Sequence, residues 1–366
     1  MFNIASRLAL VAVLALTATL SAQQQVPRAP QQPIEEGAKA LQERRFEAAL
    51  DAFSRAVALQ PRNASAWLGQ GLAYYMMGRN DESQTSLQRA LTIEPRLLDA
   101  SLVLGQLQYT SGQIAEAIAT YEAALTHAPA EARLANALTK WRAEHLLENR
   151  FYESRGAHFR VLFEGPADDA LARRVVETLE QDYWNVGAAL STYPTQTIDV
   201  VLYTQEQFRD VTRSTWAAAA YDGRIRVPAR EALAQPGELA RVLVHELVHA
   251  FVATIGGRSV PTWLNEGLAV VLEPDGVAQS ERALATTPDR VPLTELHGGF
   301  VRLSASRARI AYAESAVAVR RMLDLRGAPA MVALLADLAG GAEFAAAFQQ
   351  RMAMTYGDFQ ALVATR

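Results

Sequence analysis

The sequence predicts a chain in two parts, an all-α repeat array followed by an α+β domain, and three observations indicate this. Proline recurs at a 34-residue spacing in the first half. In the second half, short strand-like apolar runs come first and helical patterns follow them. Two histidines, His245 and His249, share one of those helical patterns. The predicted segments are a signal peptide at 1–22, a linker at 23–32, repeats with a capping helix at 33–149 and the α+β domain at 150–366.

The N-terminus has the pattern of a secretory signal. Arg7 precedes the apolar run Leu8 to Leu20, and Ser21 and Ala22 offer small residues for cleavage. The run is shorter than the ~20 residues that span a bilayer comfortably. We therefore expect a secreted or periplasmic bacterial protein with no membrane span after cleavage; an uncleaved N-terminal anchor is the alternative. The Gln- and Pro-rich stretch 23–32 is typical of a linker.

Composition excludes several classes of protein. The 366 residues are 50% apolar and 20% charged, which is ordinary for a soluble globular chain with room for two cores. A formal charge of −4, with the arginines scattered, argues against a nucleic-acid partner. Because the chain has no cysteine, disulfides are excluded and any metal must be held by histidine and carboxylate.

The first half repeats itself at helical-hairpin length. When the chain is aligned on its 34-residue proline spacing, a small residue, a large residue and an alanine recur in the same order. Small residues let two helices approach closely, and proline ends the second helix of each unit. The aligned positions are Pro61, Pro95 and Pro129; Gly37, Gly71 and Gly105; Phe53, Leu87 and Tyr121; and Ala56, Ala90 and Ala124.

This period and residue order resemble the tetratricopeptide repeat. Three copies would cover Pro33 to about Ala130, and a capping helix would follow to Asn149. The resemblance implies a concave groove that binds a peptide or protein partner; a rigid spacer is the alternative. The residues expected on the apolar face of the capping helix are Leu134, Leu138, Trp141 and Leu146.

The second half predicts strands and then helices. Strands are expected where apolar and β-branched residues cluster, and helices where apolar residues recur every three or four positions. Gly256 and Gly257 are expected to end the helix that carries the histidines. The predicted strands are 158–163, 197–203 and 224–227, and the predicted helices are 168–190, 237–253 and most of the chain after Pro292.

The stretch His245-Glu246-Leu247-Val248-His249 carries the chemistry. Two imidazoles four positions apart project from one face of a helix, about one turn apart, and can bind one metal ion. Glu246, beside the first histidine, can polarise a water on that metal. Two buried core histidines would be the structural alternative. A catalytic zinc takes three protein ligands, and Glu266, 17 residues beyond His249, is the third candidate.

The histidine pair and the following Trp-Leu-Asn-Glu-Gly-Leu-Ala at 263–269 resemble the gluzincin branch of the zincin metallopeptidases, particularly the membrane-alanyl-aminopeptidase-like superfamily. The resemblance implies Zn²⁺ as cofactor and Glu266 as its third ligand. A metzincin would have glycine where Val252 stands and histidine where Ile255 stands. Thermolysin-like gluzincins place an aspartate at the position of Val270 to orient a metal-bound histidine, so another group must do this here, and Asn265 is the candidate.

For peptide hydrolysis, Glu246 is expected to take the proton of water and deliver it to the leaving amine. The oxyanion needs a further donor, and Tyr312 is our choice from what the resemblance implies. A core role is the alternative for Tyr312, while His297 and Tyr221 are the alternative donors.

These residues predict a secreted zinc peptidase whose repeats bind protein. An endopeptidase is favoured, since no Gly-Ala-Met-Glu-Asn element for a free amine precedes His245. A catalytically silent zinc-domain scaffold is the alternative, and zinc hydrolysis of another amide or ester is a third hypothesis. The presence of Glu246 favours the enzyme, because a silent site has no use for the base.

Overall fold

The computed structural model describes residues 28–165, 168–212, 220–228, 236–287, 290–300 and 303–364. The predicted signal peptide and residues 23–27 lie outside these ranges. Contacts divide the chain into two compact units. The first runs to Leu147 and includes Gly257–Ser259 and Ala339–Ala342; the second comprises Glu148–Gly256, Val260–Leu338 and Glu343–Arg366.

The first unit is helical throughout its regular structure, as the 34-residue period predicts. Each helix that precedes a repeat proline ends two residues before it, at Leu59, Ile93 and His127. The helices are α1 (Arg28–Gln42), α2 (Phe46–Leu59), α3 (Ala64–Met76), α4 (Asn80–Ile93), α5 (Leu98–Thr110), α6 (Ile114–His127) and α7 (Ala132–Glu148).

The linker prediction is wrong from Arg28 onward, because α1 begins there. A proline in the first turn costs little, since the first four N–H groups of a helix have no partner within it, and Pro30 sits in that turn. Pro33 lies deeper and removes one helical hydrogen bond. Burial of Ile34, Ala38 and Leu41 against the repeats offsets this loss.

The residues aligned in the sequence meet in space within each repeat. A Cβ added at Gly37 would lie 2.8 Å from the Phe53 ring, and one at Gly105 would lie 2.2 Å from the Tyr121 ring. The same relation joins Gly71 to Leu87 at 2.8 Å. Each glycine therefore makes the space that the large residue of the next helix fills.

The capping helix α7 covers the last repeat. Trp141 stacks on Tyr109 with ring centroids 4.8 Å apart and contacts Tyr121 at 4.5 Å. Leu134 and Leu138 are buried as expected. Leu146, expected on the same face, is 66% exposed. That expectation was wrong because Leu146, five residues after Trp141, lies about 140° around the helix from it.

The second unit is α+β, as predicted, and is built on a five-stranded mixed sheet. The strand order is β1-β2-β3-β5-β4, with β2, β3 and β5 parallel and both outer strands antiparallel. The two outer strands were not predicted, since segments of four and two residues carry too short an alternation to read. The strands are β1 (Tyr152–Arg155), β2 (Phe159–Phe163), β3 (Ile198–Tyr203), β4 (Ala220–Tyr221) and β5 (Ile225–Pro228).

Helices pack on this sheet and on one another. The long helix α8 buries Leu171, Val175 and Leu179 against the strands. A non-helical Gly327, with φ 73°, breaks α13. The elements are α8 (Asp169–Leu190), α9 (Gln205–Thr212), α10 (Pro236–Gly256), α11 (Thr262–Leu272), α12 (Gly276–Ala285), a 3₁₀ turn (Leu293–Leu296), α13 (Ala305–Ala339), α14 (Phe344–Met352) and α15 (Tyr356–Ala364).

Charged residues are buried on the sheet strands as well as apolar ones. Arg226 is fully buried, and its guanidinium donates to Tyr203 Oη at 2.8 Å and to Asp222 Oδ1 at 3.1 Å. The neighbouring Arg224 donates to Glu148 Oε2 at 2.7 Å. These pairs keep the buried cations compensated.

Among the described residues, helix α10 alone is both long enough and apolar enough to match a membrane span. Its segment Gly237–Gly256 has the length and composition of a membrane span, but most of it is buried inside the protein. Such burial is typical of a core helix.

Candidate active site

Helix α10 presents His245 and His249 on one face, one turn apart, with ring centroids 4.8 Å apart. The chain then reverses at Gly257, whose φ of +59° suits glycine. Pro261 precedes α11, and its fixed φ of −58° prepares the helical turn. Glu266 follows in the second turn of α11, which packs against α10.

The three predicted ligands come together. Oε2 of Glu266 lies 3.4 Å from Nε2 of His245 and 3.4 Å from Nε2 of His249. The donor atoms of all three residues lie within 4.8 Å of one another. Oε2 of Glu266 is buried with no hydrogen-bond partner among the described residues. A buried carboxylate oxygen without a partner is costly, and a cation between the three donors would satisfy it.

The electrostatics of the cluster also call for positive charge. Burial disfavours the ionised carboxyl of Glu266, but the two imidazoles outweigh burial and lower its pKa. Burial likewise opposes charging of His245, yet contacts with Glu266 and Glu273 raise its pKa to about 10. Two imidazoles and one carboxylate form a donor set that suits zinc. The residues present therefore fit a divalent zinc ion.

Glu246 lies beside the ligands and is buried. Burial is the main cause that raises the pKa of its carboxyl, while the neighbouring imidazoles His249 and His245 act in the opposite direction. A carboxyl with a raised pKa is a stronger base when ionised, which suits proton transfer from water near neutral pH.

Each ligand histidine has a hydrogen-bond partner behind it. With Nε2 facing Glu266, Nδ1 carries the proton and donates it. The acceptor for His249 is Oδ1 of Asn265 at 3.0 Å, where the sequence had suggested Asn265. The acceptor for His245 is Oε1 of Glu273 at 2.5 Å, and Nη1 of Arg241 donates to the other oxygen of Glu273 at 2.8 Å.

Sequence reasoning missed Glu273. It stands seven residues after Glu266, just past the last residue of α11, while thermolysin-like enzymes use the position of Val270. One signal was available, since Arg241 precedes His245 by one helical turn and so shares the helix face on which its partner Glu273 lies.

Gly267 sets the spacing between α11 and α13. A Cβ at this position would lie 2.4 Å from the backbone oxygen of Ser315. Only glycine permits this approach, because a backbone oxygen cannot turn aside as a flexible side chain can. The approach brings α13, and with it Tyr312, towards the metal ligands.

Tyr312 lies next to the predicted metal site. Its ring centroid is 6.4 Å from that of His245, and Phe300 packs edge-on against it at 5.1 Å. Burial raises the pKa of its hydroxyl, and the negative charges of Glu266 and Glu246 raise it further. The phenol therefore keeps its proton and can donate a hydrogen bond.

The two alternative donors have different surroundings. His297 sits in an aromatic cluster, 5.0 Å from Phe344 and 5.7 Å from Tyr356 between ring centroids, and its Nδ1 faces the backbone oxygen of Leu293. Burial lowers its pKa, so it is neutral at pH 7. Tyr221 lies on the edge strand β4, which contacts α10.

Comparison with known proteins agrees with this architecture. Residues 189–362 match the Peptidase MA superfamily, and residues 35–96 and 78–140 match tetratricopeptide repeats. No curated protein matches the chain. A solved structure, "First TPR of Spaghetti (RPAP3) bound to HSP90 peptide SRMEEVD", is similar at 18% identity and a TM-score of 0.31, over 32% of this chain and 95% of that one.

Proposed function

On the premise that this chain carries a Peptidase MA superfamily domain and tetratricopeptide repeats, we propose that it is a zinc-dependent peptidase. One observation carries the proposal. Nε2 of His245 and Nε2 of His249 face a buried carboxylate oxygen of Glu266 that has no hydrogen-bond partner among the described residues, and Glu246 lies beside them. His245, His249 and Glu266 would hold the ion.

Two residues of the chain, Glu246 and Tyr312, have separate roles in the proposed hydrolysis. Zinc, when bound, acidifies water and polarises the scissile carbonyl. Glu246 accepts the proton of the attacking water and passes it to the leaving nitrogen. Tyr312 donates its hydroxyl proton in a hydrogen bond to the oxyanion, and burial around it excludes competing water.

The test measures zinc content and cleavage by the full-length protein. We expect about one zinc per chain and cleavage of peptides blocked at both ends. Glu246→Gln should retain zinc and lower kcat by about 10²–10⁴-fold, because it removes the base. Glu177→Gln, on the exposed side of α8, is the matched control and should leave kcat unchanged.

Zinc binding without cleavage that depends on Glu246 would instead support a silent scaffold. A chromogenic ester in the same assay tests the third hypothesis, since turnover of the ester alone would indicate a non-peptide hydrolase. Cleavage that requires a free peptide end would contradict the endopeptidase assignment.

Tyr312→Phe tests the oxyanion donor. Removing one such donor typically lowers kcat by about 10²–10³-fold. Zinc affinity should stay at the wild-type value, because the hydroxyl is not among the three donor atoms of the cluster. An unchanged kcat would reject the role and leave Tyr312 as a core aromatic.

We also propose that the repeats recruit the protein substrate. Repeat arrays of this kind offer an extended concave surface for binding. The measurement compares KM for a whole protein substrate with KM for a short peptide that carries its cleavage sequence. A lower KM for the protein supports recruitment, and equal values favour a rigid spacer.

Secretion to the periplasm or exterior is the last part of the proposal. It rests on the apolar run Leu8–Leu20 and the small residues at 21–22. N-terminal sequencing of the mature protein from a bacterial host should begin near Gln23. An intact Met1 on a membrane-associated protein would indicate the uncleaved anchor.

A further inference from the structure

The two ligand histidines are supported differently. His249 donates to a neutral amide, Asn265, whereas His245 donates to a carboxylate, Glu273. The side chain of Glu273 is only 4% exposed, and its second oxygen accepts from Arg241 at 2.8 Å. The result is a linear chain of contacts, from Arg241 through Glu273 to His245.

The backbone at Glu273 is fixed by a tight turn. Its N–H donates to the carbonyls of Ala269 and Val270 at 3.2 and 3.3 Å as α11 ends. Gly276 then closes the turn, and a Cβ there would lie 2.0 Å from the backbone oxygen of Val270. The turn therefore fixes the backbone of Glu273 close to His245.

The side chain of Glu273 has space for a second rotamer. Glu273 lines a cavity of about 260 Å³ between α8 and α10, together with Asp182 and Asn185. A carboxylate facing this space could turn away from His245. The ion pair with Arg241 favours the rotamer that keeps the carboxylate on Nδ1, since a charge-assisted hydrogen bond is stronger than a neutral one.

We propose that Arg241 and Glu273 form a positioning pair that fixes the ring orientation and Nδ1 proton of His245, so that Nε2 is ready for the metal. The inference rests on the proposed zinc site and assigns no direct contact with metal or substrate to either residue. Partners of this kind typically change metal affinity by about 10–100-fold.

The experiment measures the zinc dissociation constant of full-length variants by competition with a chromophoric chelator. Glu273→Gln gives His245 the amide support that His249 already has, and should weaken zinc binding about tenfold. Glu273→Met removes the acceptor and should weaken it about 100-fold. Glu238→Gln, an exposed partner of Arg241 on the same helix, is the control and should bind as wild type.

Arg241→Met should weaken zinc binding less than Glu273→Met does. The double variant should bind no worse than Glu273→Met alone, because Arg241 acts only through Glu273. A purely structural role for Arg241 would instead give additive losses. Proton NMR of the zinc-loaded protein adds a direct readout, since the Nδ1–H of His245 should exchange slowly with solvent in wild type, where Glu273 accepts it, and quickly in Glu273→Met.

The outcomes separate the two proposals. If wild type binds zinc and Glu273→Gln and Glu273→Met bind it equally well, the positioning pair is refuted and the zinc site stands. If wild type binds no zinc, the proposed function fails first. Thermal unfolding of each metal-free variant identifies any protein that has not folded, and Glu273→Gln, which is nearly isosteric, keeps the test decisive if Glu273→Met unfolds.

Discussion

The two units bury polar groups for different reasons. In the repeats, the buried polar side chains are mostly small or neutral, and the core is built from glycines that face large residues. In the second unit, ionisable groups are buried in pairs. The buried members of such pairs include Arg224, Arg226, Asp199, His249, Glu273 and Glu314.

The difference shows what each unit depends on. Apolar packing repeated from unit to unit contributes most to the repeats, so their stability is spread over similar contacts. The second unit depends on charges that are stable only with their partners in place. A buried charge left unpaired there costs far more than an exposed one, and this contrast can be tested.

The largest effect is expected from removing a buried cation. Arg226→Met should lower the free energy of unfolding by about 3–5 kcal/mol, because it removes a fully buried cation and its hydrogen bonds to Asp222 and Tyr203. Arg142→Met breaks an exposed pair in the repeats, with Glu122 at 2.7 Å, and should cost under ~1 kcal/mol. Urea denaturation followed by circular dichroism measures both free energies of unfolding. Equal losses in the two variants would contradict the proposed difference between the units.

The next effect compares two buried glycines. Gly267→Ala pushes against the backbone oxygen of Ser315 and should cost about 3 kcal/mol. Gly105→Ala pushes against the Tyr121 ring, a side chain that can shift, and should cost about 1–2 kcal/mol. Gly267→Ala should also weaken zinc binding, since Glu266 is its neighbour. An unaltered zinc affinity would show that α11 absorbs the strain without moving its ligand.

The smallest effect concerns helix caps, where we expect the units to behave alike. Asn63 accepts from the N–H of Ala66 at 3.2 Å, and Glu343 accepts from the N–H of Ala346 at 2.9 Å. Replacing either by alanine should cost about 1 kcal/mol. Asn63→Asp keeps the acceptor oxygen and should retain wild-type stability. A cost well above this in one unit alone would mean that caps are not interchangeable.

Much of the fold was predictable because its signals are local or periodic. The alignment of Gly37, Gly71 and Gly105 predicted the packing within each hairpin. The four-residue spacing of His245 and His249 predicted that both lie on one helical face. Glu266 followed from the need for a third ligand.

What could not be predicted depends on contacts between distant segments. The support of His245 by Glu273 crosses 28 positions and uses a residue outside the helix that carries Glu266. The pairing of Arg224 with Glu148 crosses 76 positions and carries no motif. Strand β4 spans two residues, too few for any periodic signal.

The proposed ligand set of two imidazoles and a carboxylate contains no sulfur, and the chain has no cysteine. Zinc held by thiolates is lost when peroxide oxidises the sulfurs to disulfides or sulfinic acids. Nitrogen and oxygen donors have no comparable chemistry under mild oxidants. A zinc site of this kind should therefore retain its ion at peroxide concentrations that release zinc from a thiolate site.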